Sequence, residues 1–227
     1  MTQVNTFPFR AVIFDMDGVL VDSEAFYWRE LRDFAAASGL EVTKEELNAQ
    51  VGMSHADFQR TLQRWWAHSG RELSPQQAED TYNVFAAARP RDYRGLMNEG
   101  VPQTLAALRE RGVRLALASS SPLANIRQVL AECGIDHAFE HITSGEQFER
   151  SKPDPQIYLH TLDLLGLPAS ACCCVEDSVP GIAAGIAAGL TVIAKREDRF
   201  GFSQDNAHTI IDTIPDLLCV GELLGER

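Results

Sequence analysis

Two aspartates and a glycine near the N-terminus, Asp15-Met16-Asp17-Gly18, follow an apolar run, Ala11-Val12-Ile13-Phe14. Carboxylates two residues apart on an extended chain lean the same way and differ mainly in their surroundings. One can attack an electrophile while the other moves protons. Four apolar residues closed by a turn signal read as a buried parallel strand, which delivers its next residues to the ligand edge of an open α/β sheet. Asp and Gly are also ordinary turn residues, so the pair alone does not make a site. A calcium loop fits less well, because Gly18 arrives before the third acidic or amide residue such a loop requires.

Further polar residues of matching type follow later apolar runs. Leu115 to Ala118 leads into Ser119-Ser120-Ser121, where Ser119 and exposed backbone N–H groups can hold a phosphoryl oxygen. Ser121-Pro122 suits a helix N-cap with proline at the first helical position, which leaves Ser119 and Ser120 for a ligand. In Ser151-Lys152-Pro153-Asp154-Pro155 a lysine precedes a helix that Asp154 can cap. A cation is disfavoured at that end of a helix, so an anionic ligand or a carboxylate beside Lys152 is expected. Cys172 to Val175 ends in Glu176-Asp177, acids that would repel Asp15 unless a cation or a shared proton intervened. Oxygen-only ligands with an anionic substrate point to Mg²⁺.

The elements that must position these residues alternate. Helix is expected over 101–111, 122–133, 155–165 and 180–188, and strand over 115–118, 139–143, 172–175, 191–194 and 209–211. Such alternation implies an α/β chain with a doubly wound parallel sheet and right-handed crossovers. Gly181, Gly185 and Gly189, four residues apart, would let one helix approach the sheet closely. Between Asp22 and Asp92 the pattern is wholly helical and reads as an insert. Helix starts are signalled there by Thr43 with Glu46, Ser54 with Asp57, and Ser74-Pro75 with Gln77. Phe58, Leu62, Trp65 and Trp66 follow helical spacing and are expected in that insert's core.

The 227 residues suit one α/β domain with a smaller inserted module. A formal net charge of -12 argues against a nucleic-acid partner, since affinity for a phosphate backbone rests on clustered Lys and Arg. An acidic protein acting on an anion must concentrate positive charge locally, and a bound divalent cation does so. No run is long and apolar enough to span a bilayer, and Met1 to Arg10 carries no leader pattern, so a cytoplasmic protein is expected. The five cysteines, three of them consecutive at 172–174, are expected to be small buried residues in a reducing compartment.

With these residues in order, the chain resembles the haloacid dehalogenase superfamily of phosphotransferases. The resemblance covers Asp15-Met16-Asp17-Gly18-Val19, then Ser119, Lys152 and Glu176-Asp177. It implies a Rossmann-like doubly wound parallel core, 1–22 and 93–227, with an inserted α-helical cap over 23–92, as in the subgroup of β-phosphoglucomutase and many sugar-phosphate phosphatases. It further implies Asp15 as a nucleophile that becomes an aspartyl-phosphate and Asp17 as the general acid and base. Ser119, Ser120 and Lys152 would then hold the phosphoryl group. Mg²⁺ would be held by Asp15, the Asp17 backbone carbonyl, Asp177 and Glu176.

Hydrolase and mutase differ in whether water or a sugar hydroxyl receives the phosphoryl group. Tyr27 stands where β-phosphoglucomutase has a histidine, and His55 follows Gly52-Met53-Ser54 where an arginine is expected. Both departures favour hydrolysis of a small phosphorylated metabolite, with the mutase as the alternative. Phe26, Tyr27, His55 and Arg89 are the candidates for setting the substrate. Phosphonate cleavage would need a lysine in the insert, and Lys44, the lysine there, falls in a first helical turn where it is expected to be solvated. A non-catalytic protein on the same fold would be expected to lose one of Asp15, Asp17, Lys152 or Asp177, and all four are present. The expected assembly is a monomer or homodimer.

Overall fold

The computed structural model describes residues 7–53, 55–89 and 91–225. The chain divides into two compact units, Met1–Asp22 with Tyr93–Arg227, and Ser23–Asp92. Among the described residues six strands lie in the first unit: β1 (Ala11–Phe14), β2 (Arg114–Ser119), β3 (His141–Ser144), β4 (Cys172–Glu176), β5 (Thr191–Lys195) and β6 (Thr209–Ile211). The helices, in chain order, are α1 (Ser23–Ser38), α2 (Lys44–Asn48), α3 (His55–His68), α4 (Pro75–Ala87), α5 (Tyr93–Leu96), α6 (Val101–Glu110), α7 (Leu123–Cys133), α8 (Gln156–Leu165), α9 (Val179–Ala187) and α10 (Val220–Gly225).

All strand pairs are parallel, in the order β3-β2-β1-β4-β5-β6. The order runs outward in opposite directions from β1 and β4, and the crevice beyond their carboxyl ends is where an open α/β sheet takes a ligand. The sheet is apolar on both faces, which is why β1 is a continuous rather than an alternating apolar run. Val12 and Phe14 pack on one face with Leu115, Leu117, Cys173 and Val175, covered by Leu105 and Leu108 of α6 and Val129 of α7. Ala11 and Ile13 pack on the other with Ala116, Cys172 and Cys174, covered by Leu162 of α8 and Ile182 of α9. The three consecutive cysteines thus alternate between two cores as the strand period requires. All five are free thiols; Cys219 departs from expectation in being exposed.

Several element ends differ from the sequence reading. β2 runs on to Ser119, and β3 begins at His141 rather than 139. Pro155 occupies the N-cap position of α8, so Asp154 is not the cap, although its Oδ1 accepts from the Gln156 N–H at 3.1 Å. Pro122 occupies the N-cap position of α7 without a side-chain cap, and the Leu123 N–H donates to the Glu146 carboxylate instead. That helix end is capped from another loop because the Ser121 hydroxyl is engaged elsewhere.

In the second unit, Leu31 and Phe34 of α1, Leu62, Trp65 and Trp66 of α3 and Tyr82 of α4 form the core, so both tryptophans are packing residues. Thr43 with Glu46 and Ser74 with Gln77 close as capping boxes. Ser54, the expected start of the next helix, lies outside the described residues, and α3 runs from His55. Lys44 is exposed at the first position of α2. Among the described residues no helix is long and apolar enough to cross a membrane.

Candidate active site

The turn after β1 is fixed by apolar burial and by its own hydrogen bonds. Met16, Val19, Leu20 and Val21 are buried; the Gly18 N–H donates to Val21 O at 2.8 Å, and Asn98 Nδ2 donates to Val19 O at 2.8 Å. The Asp15 N–H donates to Val175 O at 3.0 Å, carrying the β1–β4 pairing one residue past the strand. Gly18 has φ 78°, and a Cβ there would fall on the Asp177 carboxylate. Glycine is required twice over, for a left-handed backbone and for the close approach of an acidic side chain.

Lys152 is the centre of the buried charge. Its Nζ donates to Asp15 Oδ1 at 2.7 Å, to Glu176 Oε1 at 2.6 Å and to Ala118 O at 3.0 Å, which uses all three ammonium protons. Its side chain is 4 % exposed. The Tyr158 hydroxyl donates to the same Glu176 oxygen, and its ring centre lies 5.1 Å from Nζ. Glu176 Oε2 accepts from the Asp177 N–H at 3.3 Å and the Ser178 hydroxyl at 3.4 Å. Gly181 of α9 makes this possible, since a Cβ there would collide with the Glu176 carboxylate.

Burial opposes the charge on Lys152, but the carboxylates of Asp15 and Glu176 outweigh it and hold the ammonium above its ordinary range. One ammonium serves two carboxylates, so negative charge remains. Burial raises Asp15; Lys152 pulls against it, Glu176 and Asp17 add to the rise, and the group stands at about 8. Such a cluster takes up a proton or a cation. Carboxylate oxygens of Asp15, Glu176 and Asp177 lie within 4.8 Å of one another, an oxygen-only donor set that could hold a metal ion. A hard divalent cation suits that set, and the space that Gly18 leaves at Asp177 keeps it open.

The Asp17 carboxylate is outside this group of three. It accepts from the Ser121 hydroxyl at 2.9 Å. Ser119, buried at the end of β2, accepts from the Ser121 N–H at 3.1 Å. Ser120 is half-buried, and its Cα would lie 3.0 Å from a Cβ on Gly145, so the absence of a side chain at 145 gives it room. Asp15, Lys152, Glu176 and Asp177 are therefore brought into contact range, and Asp17 is tied to the loop after β2. Tyr27 and His55 belong to the helical unit. Tyr27, on α1, packs edge-on against Phe26 with the Arg91 guanidinium 5.1 Å from its ring centre. His55 opens α3 with Nε2 2.6 Å from Glu79 Oε1, while Gln59 donates to Glu79 Oε2 at 2.5 Å.

Three further residues escaped the sequence reading. Ser121 reads in the sequence as a capping residue; Tyr158 falls in an apolar helical stripe, where only the rule that a buried phenol needs a partner singles it out. Gln204, whose amide donates to the Asp177 carbonyl from a loop far along the chain, gives no signal in the sequence.

The family model of the haloacid dehalogenase-like hydrolases matches residues 9–189. Hexitol phosphatase B of Escherichia coli K12 is 31% identical over 219 residues, 92% of this chain and 96% of that protein. A hydrolase of the same family from Deinococcus radiodurans, solved with bound phosphate and sodium, has 28% identity and a TM-score of 0.74 over 96% of this chain and 97% of that one. A β-phosphoglucomutase from Clostridium difficile has a TM-score of 0.78 over 96% of this chain and 98% of that one, at 22% identity, a likeness of fold.

Proposed function

This chain belongs to the haloacid dehalogenase-like hydrolases, and we propose that it is a Mg²⁺-dependent phosphatase of a small phosphorylated metabolite, a sugar or sugar-alcohol phosphate. The observation that carries the reading is the buried Lys152 ammonium bridging Asp15 and Glu176 beside Asp177 at the carboxyl ends of β1 and β4. A positive charge and a cation-ready acid cluster at one edge suit a phosphoryl group and its counterion. The similarity to a hexitol phosphatase along nearly the whole of both chains supports the substrate class.

In this reading an Asp15 carboxylate oxygen bonds to phosphorus as the ester P–O bond breaks, giving an aspartyl-phosphate. Asp17 protonates the departing oxygen, then takes a proton from the water that hydrolyses the acyl phosphate. Ser119 and Ser120 hold the phosphoryl oxygens, Lys152, its three protons spent on Asp15, Glu176 and Ala118 O, acts on them as a positive charge, and Ser121 orients Asp17. Asp15, Asp177 and the Asp17 backbone carbonyl would hold Mg²⁺, which when bound would supply positive charge to keep Asp15 ionised and to offset the phosphoryl oxygens. Glu176 accepts from Lys152 and Tyr158 on Oε1 and, over longer distances of 3.3 and 3.4 Å, from the Asp177 N–H and the Ser178 hydroxyl on Oε2, so it holds Lys152 and Tyr158 and would complete the donor set with Asp15 and Asp177. Tyr27 and His55 remain the residues proposed to select the substrate, His55 as a pair with Glu79.

The test is phosphate release across sugar, sugar-alcohol and small-metabolite phosphates, in Mg²⁺ and in EDTA, beside Asp15→Asn. Release is expected from a few substrates, lost in EDTA, restored by Mg²⁺ and absent in the folded Asp15→Asn protein. Release that survives in that variant would sink the nucleophile assignment, and none anywhere would sink the phosphatase reading. Asp17→Asn should slow alkyl phosphates far more than aryl phosphates, whose leaving groups need no proton; equal losses would remove Asp17 from the acid role.

A further inference from the structure

The segment between β5 and β6 carries none of the motifs that make up the site, yet it reaches the site through one buried amide. Gln204 is 6 % exposed. Its Nε2 donates to Asp177 O at 2.6 Å and to Lys195 O at 2.8 Å, and its Oε1 accepts from the Glu197 N–H at 3.0 Å. Two carbonyls and one N–H permit only this orientation of the amide, which spends both of its protons on the exits of β4 and β5.

Asp177 lies between the last residue of β4 and Ser178, the N-cap of α9. A carbonyl before the N-cap takes no intrahelical bond, so a buried one needs a donor from elsewhere. The segment that brings Gln204 there is itself tied down. Glu197 is buried and accepts from the Arg199 N–H at 2.8 Å and from its guanidinium, which also donates to Asp22 at 2.7 and 2.9 Å. A rigid support bonded to the backbone of a carboxylate ligand is the arrangement by which outer residues tune cation affinity.

We propose that Gln204 is a positioning residue for the cation ligand Asp177, fixing its backbone so that its carboxylate stays beside those of Asp15 and Glu176. The proposal rests on the cation reading above. Its consequence is measured as cation affinity, independently of turnover.

Mn²⁺ binding is followed by paramagnetic resonance of the free ion in the full chain, for the unaltered protein, Gln204→Met, Gln204→Asn and Asp177→Asn. Asp177→Asn should lose Mn²⁺ binding. The Gln204 variants, shown to be folded by circular dichroism, should bind about 10–100-fold more weakly. A folded Gln204 variant with unaltered affinity would overturn the positioning role while leaving the cation site intact. Unaltered affinity in Asp177→Asn would overturn the cation reading, and this proposal with it. A measurement on the unaltered chain stands beside these: the side-chain amide resonances of Gln204 should move on titration with Mg²⁺, and resonances that stay still would count against the coupling.

Discussion

At Lys152 one ammonium is bonded to two carboxylates and a carbonyl inside a nearly dry pocket. Removing one partner of a buried ion pair leaves the others uncompensated, a loss of roughly 3–5 kcal/mol. Lys152→Met should therefore lower stability by about that amount in EDTA, measured by urea unfolding, and Mg²⁺ should restore part of the loss. A change below about 1 kcal/mol would mean that the pocket is wetter than its geometry implies. Of the residues proposed for the site, Asp15, Asp17, Ser119, Lys152 and Asp177 stand out in the sequence because each closes or follows a strand, or precedes a helix, in its own stretch of chain. Tyr158, Ser121 and Gln204 do not, because their partners lie 18, 104 and 27 residues away, and only the folded sheet brings them together.

The elements were legible in kind and order, and less so at their ends. Periodicity marks where apolar faces begin, but a helix end is decided by whichever group satisfies its free N–H groups, and at α7 that group is Glu146, 23 residues on. The glycine spacing in α9 has a sharper meaning than close packing alone. A Cβ on Gly185 would strike Cys174 Sγ and Val192, whereas a Cβ on Gly181 would strike the Glu176 carboxylate. Both Gly185→Ala and Gly181→Ala should cost about 1–3 kcal/mol by overpacking, seen in urea unfolding. Only Gly181→Ala should also cut turnover severely, since it displaces the carboxylate that holds Lys152. Equal turnover in the two variants would detach Glu176 from the chemistry.

For the molecule as a whole, a net charge of -12 and an acid cluster in the sheet unit should make stability depend on pH and, on the proposed reading, on a cation together. Asp15 stands at about 8, above its ordinary value of 3.8. Across that interval the folded chain binds more protons at this group than the unfolded one does. Its contribution to stability therefore falls as pH rises from 3.8 and levels off above about 8. A divalent cation that requires ionised Asp15 competes with the proton and should reverse that loss. The gain in melting temperature on adding Mg²⁺ in place of EDTA, at constant ionic strength, should grow as pH is raised from about 6 towards 8. Far-UV ellipticity is the readout for this, because Trp28, Trp65 and Trp66, all the tryptophans of the chain, lie in Ser23–Asp92 and report on the other unit. A gain that is the same at every pH would mean that the cation binds without displacing a proton, and Asp15 would then have no place among its ligands.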